Sequence, residues 1–452
     1  MGRKVRRMTE GAVWKNIVLF ALPLMIGNLF QQLYNTVDSI IVGNLIGKEA
    51  LAAVGSVDPI INTFIGFFSG LSAGAGVVIS QYYGARDEES VHKAVHSTIA
   101  LTAILSVVIT LLALATTPFF LEILGTPEDV WESSETYLGI YFLGATGLLF
   151  YNMGAGILNA VGDSRRPLYF LIFSTVMNIT LDIIFIAVFR MGVAGAALAT
   201  VIAEVLSAFL VMTVLTAEKS CYRIIWKKVR IHKEIMAKIL KVGIPTALQM
   251  MVTAFSNVFI QSYINYFGSA AMAGWTSYAK IDKLCLLPMQ SIGLSITTFI
   301  GQNVGAGQKD RAMHGIKVAT RINVAIAIIM VLVLWIAAPY FVLLFNQEEE
   351  VIRYGVLFLR LLSPFFICVG FNQIHNGALK GAGNTKVPMI ILMSTFIVFR
   401  QIYLFLITKI WNNIYTVSLG YPFGWLLCTI ILAIYYKRVD ISKFRVVSES
   451  DR

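Results

Sequence analysis

The chain has 452 residues, of which 57% are hydrophobic and only 13% charged, and its mean hydropathy is +0.74. A soluble protein carries roughly 25% charged residues, so composition excludes that class and points to an all-α polytopic membrane protein in a lipid bilayer. The net charge of +11 invites a nucleic-acid partner, but the basic residues sit in short loops between apolar runs, the pattern of the positive-inside rule; no nucleic-acid partner is expected.

A helix crosses a bilayer with about 20 apolar residues. By that measure the chain holds twelve transmembrane helices, at 14–46, 51–82, 93–117, 134–156, 167–189, 192–215, 238–266, 269–302, 314–338, 353–376, 387–409 and 413–436. The basic start "GRKVRR" runs into a segment too long for a signal peptide's apolar core, with no evident cleavage site, so no cleavable signal is expected. The basic segments are the N-terminus, Arg165 and Arg166, the connection 216–237, Lys309 with Arg311, Lys380 with Lys386, and the tail from Lys437. With twelve spans all of these fall on one side, and the acidic loops "GTPEDVWESSETY" and "NQEEE" on the other. Both termini are therefore expected in the cytoplasm, with the protein in the plasma membrane. The four cysteines are far apart and show no metal or redox spacing. His92 and His96 stand one helical turn apart, but no third ligand lies near, so they read as part of a helix at the membrane surface.

The second half repeats the first. "GILNAVGDSRRP" (156–167) aligns with "GALKGAGNTKVP" (377–388) at an offset of 221, which also pairs Gly84-Ala85 with Gly305-Ala306 and Gly47 with Gly268. At 222, Pro23 pairs with Pro245 and Asn35 with Asn257. The chain thus reads as an N-terminal six-helix lobe (1–215), a basic cytoplasmic linker (216–237) and a C-terminal six-helix lobe with a short basic tail (238–452). Each half spans the membrane an even number of times, so the lobes are expected to be related by a pseudo-twofold axis along the membrane normal.

These features together, with "P…NTVD" in the first helix, the repeated "G-[DN]-[ST]-x-x-P" and "GAR" after the second span, resemble the multidrug and toxic compound extrusion (MATE) family of antiporters. The resemblance covers essentially the whole chain. It implies a V-shaped pair of six-helix lobes and export of amphipathic, mostly cationic compounds in exchange for Na⁺ or H⁺, with no other cofactor, by a monomer.

Ionisable residues inside spans are costly and mark function. Asp38 is the single charge in the run 17–47, and Asp182 lies in "VMNITLDIIFI" one turn after Asn178. At 1.5 Å per residue, Asp38 lies about 15 Å below Lys48, Asp182 about 12 Å below Arg190, and Thr200 about 13 Å below the turn at Met191. Three helices thus bring oxygens to one depth in the outer half of the first lobe, which suits Na⁺ or a proton. The resemblance assigns the same four residues, Asp38, Asn178, Asp182 and Thr200, to cation coupling. The counterparts of Asp38, Asn178 and Asp182 in the second half are Ile260, Phe399 and Tyr403, so coupling is expected in the first lobe alone.

The second half carries Lys280, Asp282, Lys283 and Arg400 instead. Lys280 stands opposite Asp58 in the repeat, which suggests a gate contact; pairing with Asp282 or snorkelling to the interface is the simpler account. These cations leave an anionic or zwitterionic substrate open. Asn35, Asn257, Gln261, Met289 and Gln290 are expected to line the substrate cleft. Gly66, Gly70 and Gly74 have the GxxxG spacing of close helix packing, and Pro23, Pro59, Pro245 and Pro288 are expected to kink or start helices. A lipid-linked precursor flippase and a metabolite exporter remain as alternatives. A membrane enzyme finds no HExxH, GxSxG or metal cluster in the sequence, and a passive channel has no need of buried acids away from its pore.

Overall fold

A bilayer offers no water to backbone N–H and C=O groups, so a chain this apolar satisfies them within helices. The computed structural model describes residues 7–123 and 125–447, without the side chains of 48 and 254–262, and among the described residues there is no strand. We number the spans α1 (Val13–Leu45), α2 (Lys48–Gly84), α3 (Glu88–Ile123), α4 (the pair Glu128–Leu143 and Ala145–Ala160), α5 (Arg165–Val188), α6 (Gly192–Ala217), α7 (Lys233–Asn265), α8 (Ser269–Gly305), α9 (Lys309–Leu343), α10 (Glu349–Ala382), α11 (Lys386–Ile410) and α12 (Ile414–Arg438). Counting the pair in α4 as one span, with its 48° bend, gives the expected twelve. The bend was not legible beforehand. It falls at Gly144, where an added Cβ would lie 2.3 Å from a Val201 methyl, so only glycine lets α4 come this close to α6.

The repeat is visible in the backbone. Gly47 and Gly268, at the turns before α2 and α8, have φ of 127° and 95°; Gly162 and Gly383, after α4 and α10, have φ of 98° and 103°. These left-handed values favour glycine, which is why the sequence keeps it at both offsets. The motif "G-[DN]-[ST]-x-x-P" is a turn that starts the next helix. The Asp163 side chain accepts from the Arg165 and Arg166 N–H groups, and the Asn384 side chain accepts from Val387 N–H.

The described residues form two compact units. The first contains Arg7 and Ile26–Ala247, the second Met8–Met25 and 248–447. α1 and α7 therefore each divide between units, two residues after Pro23 and Pro245 respectively. The first turns of α7 pack on α2 within unit 1. There Gly74 faces Gly243 and Gly70 faces Ala247 so closely that an added Cβ on Gly74 would lie 2.1 Å from Gly243 Cα. In unit 2 the repeat-equivalent contact joins α8 to the first turns of α1, where the Ser295 hydroxyl donates to Ile17 C=O at 2.9 Å. The linker packs on unit 1. Tyr222 and Ile224 are buried, and Ile224 N–H donates to Leu215 C=O.

Candidate cation site

Unit 1 brings the predicted cluster together. Asp38 from α1, Asn178 and Asp182 from α5 and Thr200 from α6 are 8%, 0%, 0% and 5% exposed, so all four are enclosed. The Asn178 amide donates to Thr200 Oγ1 at 3.4 Å. The Tyr34 and Thr200 hydroxyls share a hydrogen bond of 3.1 Å. The Asp38 carboxylate is a near neighbour of the Asp182 carboxylate.

What these atoms lack is as informative. Asp38 Oδ1, both Asp182 carboxylate oxygens and Asn178 Oδ1 are closed off from the surface with no hydrogen-bond partner among the described residues. Buried polar atoms are almost always partnered, so four orphaned oxygens in one cluster mark a place for a ligand. Two carboxylates, an amide oxygen and a hydroxyl form an all-oxygen donor set, which fits a hard cation such as Na⁺ or a proton shared between the acids. Among the described residues no group of three or more His, Cys, Asp or Glu suits a softer metal.

Local structure holds the set. Asn178 and Asp182 are one turn apart on one helix face. Directly after Asp182, α5 widens into a π-helical turn at Ile183–Val188, where Phe189 N–H reaches back five residues to Ile184 C=O. Such turns recur at functional sites. Sequence reasoning missed the surrounding shell: Tyr34, one turn before Asp38, the Tyr137–Tyr141 pair on α4, stacked at 6.4 Å, and Glu204 on α6. Glu204 was detectable by the reasoning that found Asp38, since it is an acid in an apolar span one turn after Thr200.

The other predicted residues are dispersed. Asn35 and Gln290 are exposed, and Asn257, Gln261 and Ile260 lie outside the described side chains. Met289 corrects the expectation of a cleft-lining side chain. It is fully buried in the apolar core of unit 2 with Trp275, Phe358 and Phe366. Asp58 is exposed on α2 in unit 1, and Lys280 is exposed on α8 in unit 2, its ammonium 5.6 Å from the Phe345 ring centre. Arg400 is 3% exposed, with its guanidinium 4.7 Å above the Tyr421 ring. Of the glycine series, Gly70 and Gly74 make the close helix contact, as expected. His96 is buried against the linker, where its Nε2 accepts from Ile225 N–H at 2.9 Å.

Twelve apolar spans in two repeated sets, with an oxygen cluster buried in one of them, are the architecture of an integral membrane transporter. The MatE family model matches residues 23–184 and again 245–406, an offset of 222. The chain belongs to the MatE family of multidrug efflux transporters. It is 29% identical over 435 residues to "Probable multidrug resistance protein YpnP" of Bacillus subtilis (strain 168), covering 96% of this chain and 97% of that one. It is 24% identical to "Multidrug export protein MepA" of Staphylococcus aureus (strain MSSA476), covering 86% of each. Among solved structures, the fold superposes on "Crystal structure of MATE in complex with MaL6" with a TM-score of 0.91 at 27% identity, covering 98% of this chain and 99% of that chain.

Proposed function

We propose that this chain is a secondary active exporter of amphipathic, cationic compounds, driven by inward Na⁺ or H⁺ that binds at Asp38 and Asp182, with Asn178 and Thr200 completing the site. The observation that carries the reading is the set of four buried, unpartnered oxygens on Asp38, Asn178 and Asp182. Cation entry at these oxygens favours the state that releases substrate, and substrate favours the state that releases the cation. Exchange requires this difference in preference, because a ligand shifts an equilibrium only by its differential affinity for the two states. The protein acts as a monomer in the plasma membrane by alternating access of its two repeats. Both termini face the cytoplasm in this reading, which the basic loops support.

A lipid-linked precursor flippase needs basic groups inside unit 1, and the acids Asp38, Asp182 and Glu204 disfavour it. The deciding experiment is drug efflux from membrane vesicles under separately imposed Na⁺ and proton gradients. Asp38→Asn is expected to abolish gradient-driven efflux while substrate still binds. Wild-type efflux by that variant under either gradient would refute the site.

A further inference from the structure

Between α6 and α7 the stretch 219–233 holds six cations, Lys219, Arg223, Lys227, Lys228, Arg230 and Lys233, and no acid. Its backbone is fixed to unit 1 at three points. Ile224 N–H donates to Leu215 C=O at 2.9 Å, Ile225 N–H to His96 Nε2 at 2.9 Å, and His232 N–H to Ser97 Oγ at 3.1 Å. Tyr222 and Ile224 are buried, whereas Arg223, Lys227, Lys228 and Arg230 are exposed. The short 3₁₀ turn Trp226–Lys228 has no buried residue. The anchors therefore hold a basic face outward.

The same anchors set its depth. Leu215 is the last residue of the apolar run 192–215, and His96 and Ser97 lie in the first turns of the run 93–117. The linker thus runs along unit 1 where two spans leave the hydrocarbon, at the level of the lipid headgroups. Trp226 is 52% exposed there and Ile231 44%. An indole suits this level, because its ring meets acyl chains while its N–H meets water. Lys227 and Lys228 make no hydrogen bond or ion pair among the described residues. Arg223 and Arg230 direct one N–H each, to Thr216 C=O and His232 Nε2. Glu218, the acid just before the stretch, is held by Arg166 at 2.6 Å. A free phosphate would satisfy the lysines and leave the Trp226 ring and Ile231 in water. A phospholipid with a negative headgroup satisfies both. Basic clusters beside a span attract such lipids, each cation contributing about fivefold in affinity.

We propose that the face formed by Arg223, Trp226, Lys227 and Lys228 is a docking surface for acidic phospholipids of the leaflet beside it, the cytoplasmic one on the proposed orientation. The two ammonium groups take the phosphate-bearing headgroup, and the Trp226 ring rests on the acyl boundary below it. The inference does not depend on the cation site.

The test uses the full chain in proteoliposomes of mixed phosphatidylcholine and phosphatidylglycerol, with bromine on the acyl chains of one lipid or the other at equal content. Bromine quenches only an indole it touches. The emission difference between wild type and Trp226→Phe isolates this ring among the seven tryptophans, and Trp226→Leu supplies the same difference should the first variant not fold. Brominated phosphatidylglycerol is expected to quench Trp226 more than brominated phosphatidylcholine. That preference is expected to fall about fivefold with each of Lys227→Gln and Lys228→Gln, and to shrink in about 1 M salt, where charges are screened beyond about 3 Å. The proposal is overturned if the two lipids quench Trp226 equally, if neither quenches it, or if the double lysine variant keeps the preference. It is also overturned if inorganic phosphate at constant ionic strength abolishes the preference, which would make the surface a site for a free anion. Protease access to the linker in sealed cells separates this result from the orientation: cleavage from outside would move the surface to the outer leaflet and overturn the cytoplasmic assignment.

Discussion

Replacing Thr200 by valine exchanges a hydroxyl for a methyl at nearly equal volume, so it tests the oxygen and little else. The hydroxyl serves both the Tyr34 phenol at 3.1 Å and the Asn178 amide at 3.4 Å. Side-chain hydrogen bonds between membrane helices contribute about 0.6 kcal/mol on average and up to about 1.7, so losing both costs about 1–2 kcal/mol of stability. The effect on the bound cation is larger, because a hydrogen bond or ligand contact to a charged group contributes about 1.5–3 kcal/mol. At 1.4 kcal/mol per factor of ten, that is a loss of roughly 10- to 150-fold in cation affinity. Thr200→Ser keeps the oxygen and drops only a methyl, so it stays within about threefold of wild type. The assay is the cation concentration giving half-maximal export in proteoliposomes, with the unfolding midpoint in detergent as a control. If valine leaves the cation dependence unchanged, Thr200 is not part of the site. If serine is as damaging as valine, packing and not the oxygen explains the residue.

Gly74→Ala pushes a Cβ to 2.1 Å from Gly243 Cα and is expected to lower stability by about 1–3 kcal/mol, whereas Gly55→Ala, with nothing within 4 Å of its added Cβ, is expected to gain up to about 1 kcal/mol; unfolding midpoints in detergent separate the two. The linker clasp is expected to be acid-sensitive. His96 Nε2 accepts from Ile225 N–H there, and burial together with the Arg230 guanidinium holds the His232 imidazole of the same clasp below its ordinary value. A released His232 takes up a proton more readily, so its part of the clasp is intact above about pH 6.5 and weakens as the pH falls below it; hydrogen exchange at the His232 amide, which donates to Ser97 Oγ, reports this, and His96→Phe should remove the protection of the Ile225 amide at every pH. Tyr403→Asp, which copies Asp182 into unit 2, removes a half-buried ring and its hydrogen bond to Thr416 C=O, so it is expected to lower the unfolding midpoint and to leave the number of cations exchanged per substrate unchanged.

Spans and repeat were legible because their causes are local. A bilayer demands long apolar helices, and left-handed turns demand glycine, so Gly47, Gly162, Gly268 and Gly383 recur at one offset with the same backbone sign. The Asp38, Asp182 and Thr200 cluster was legible because depth along a helix can be counted. The bend at Gly144 was not, since a glycine in an apolar span looks the same whether it bends the helix or admits a neighbour. Met289 was misplaced for a related reason, because which face of α8 meets the unit 2 core depends on packing partners far away in sequence. The division of α1 and α7 between the units is likewise tertiary: Pro23 and Pro245 announce a possible break, but not what packs on either side of it.

The two repeats share a backbone and differ in what fills one place. At the offset of 221, the counterparts of Tyr137, Asn178, Asp182, Thr200 and Glu204 are Phe358, Phe399, Tyr403, Tyr421 and Trp425. In unit 2 these positions belong to an aromatic cluster: Phe399 stacks on Tyr403 at 6.4 Å, Tyr421 lies 5.8 Å from Trp425, and Trp275 packs edge-on against Phe358 at 5.1 Å. Tyr403 also satisfies its own hydroxyl by donating to Thr416 C=O at 2.8 Å. Rings therefore take up the volume that unit 1 gives to carboxylates, and among the described residues no set of orphaned oxygens accompanies them in the way Asp38 and Asn178 accompany Asp182. Asp282 retains one buried oxygen without a partner among the described residues, but its carboxylate sits beside Tyr278 at a position with no acidic equivalent in unit 1. A single carboxylate placed at Tyr403 would inherit the helix geometry and none of the partners, and the cation site is a property of the partners. Duplication supplied the scaffold twice. Orphaned carboxylate oxygens stand in one copy, and aromatic rings fill the same place in the other.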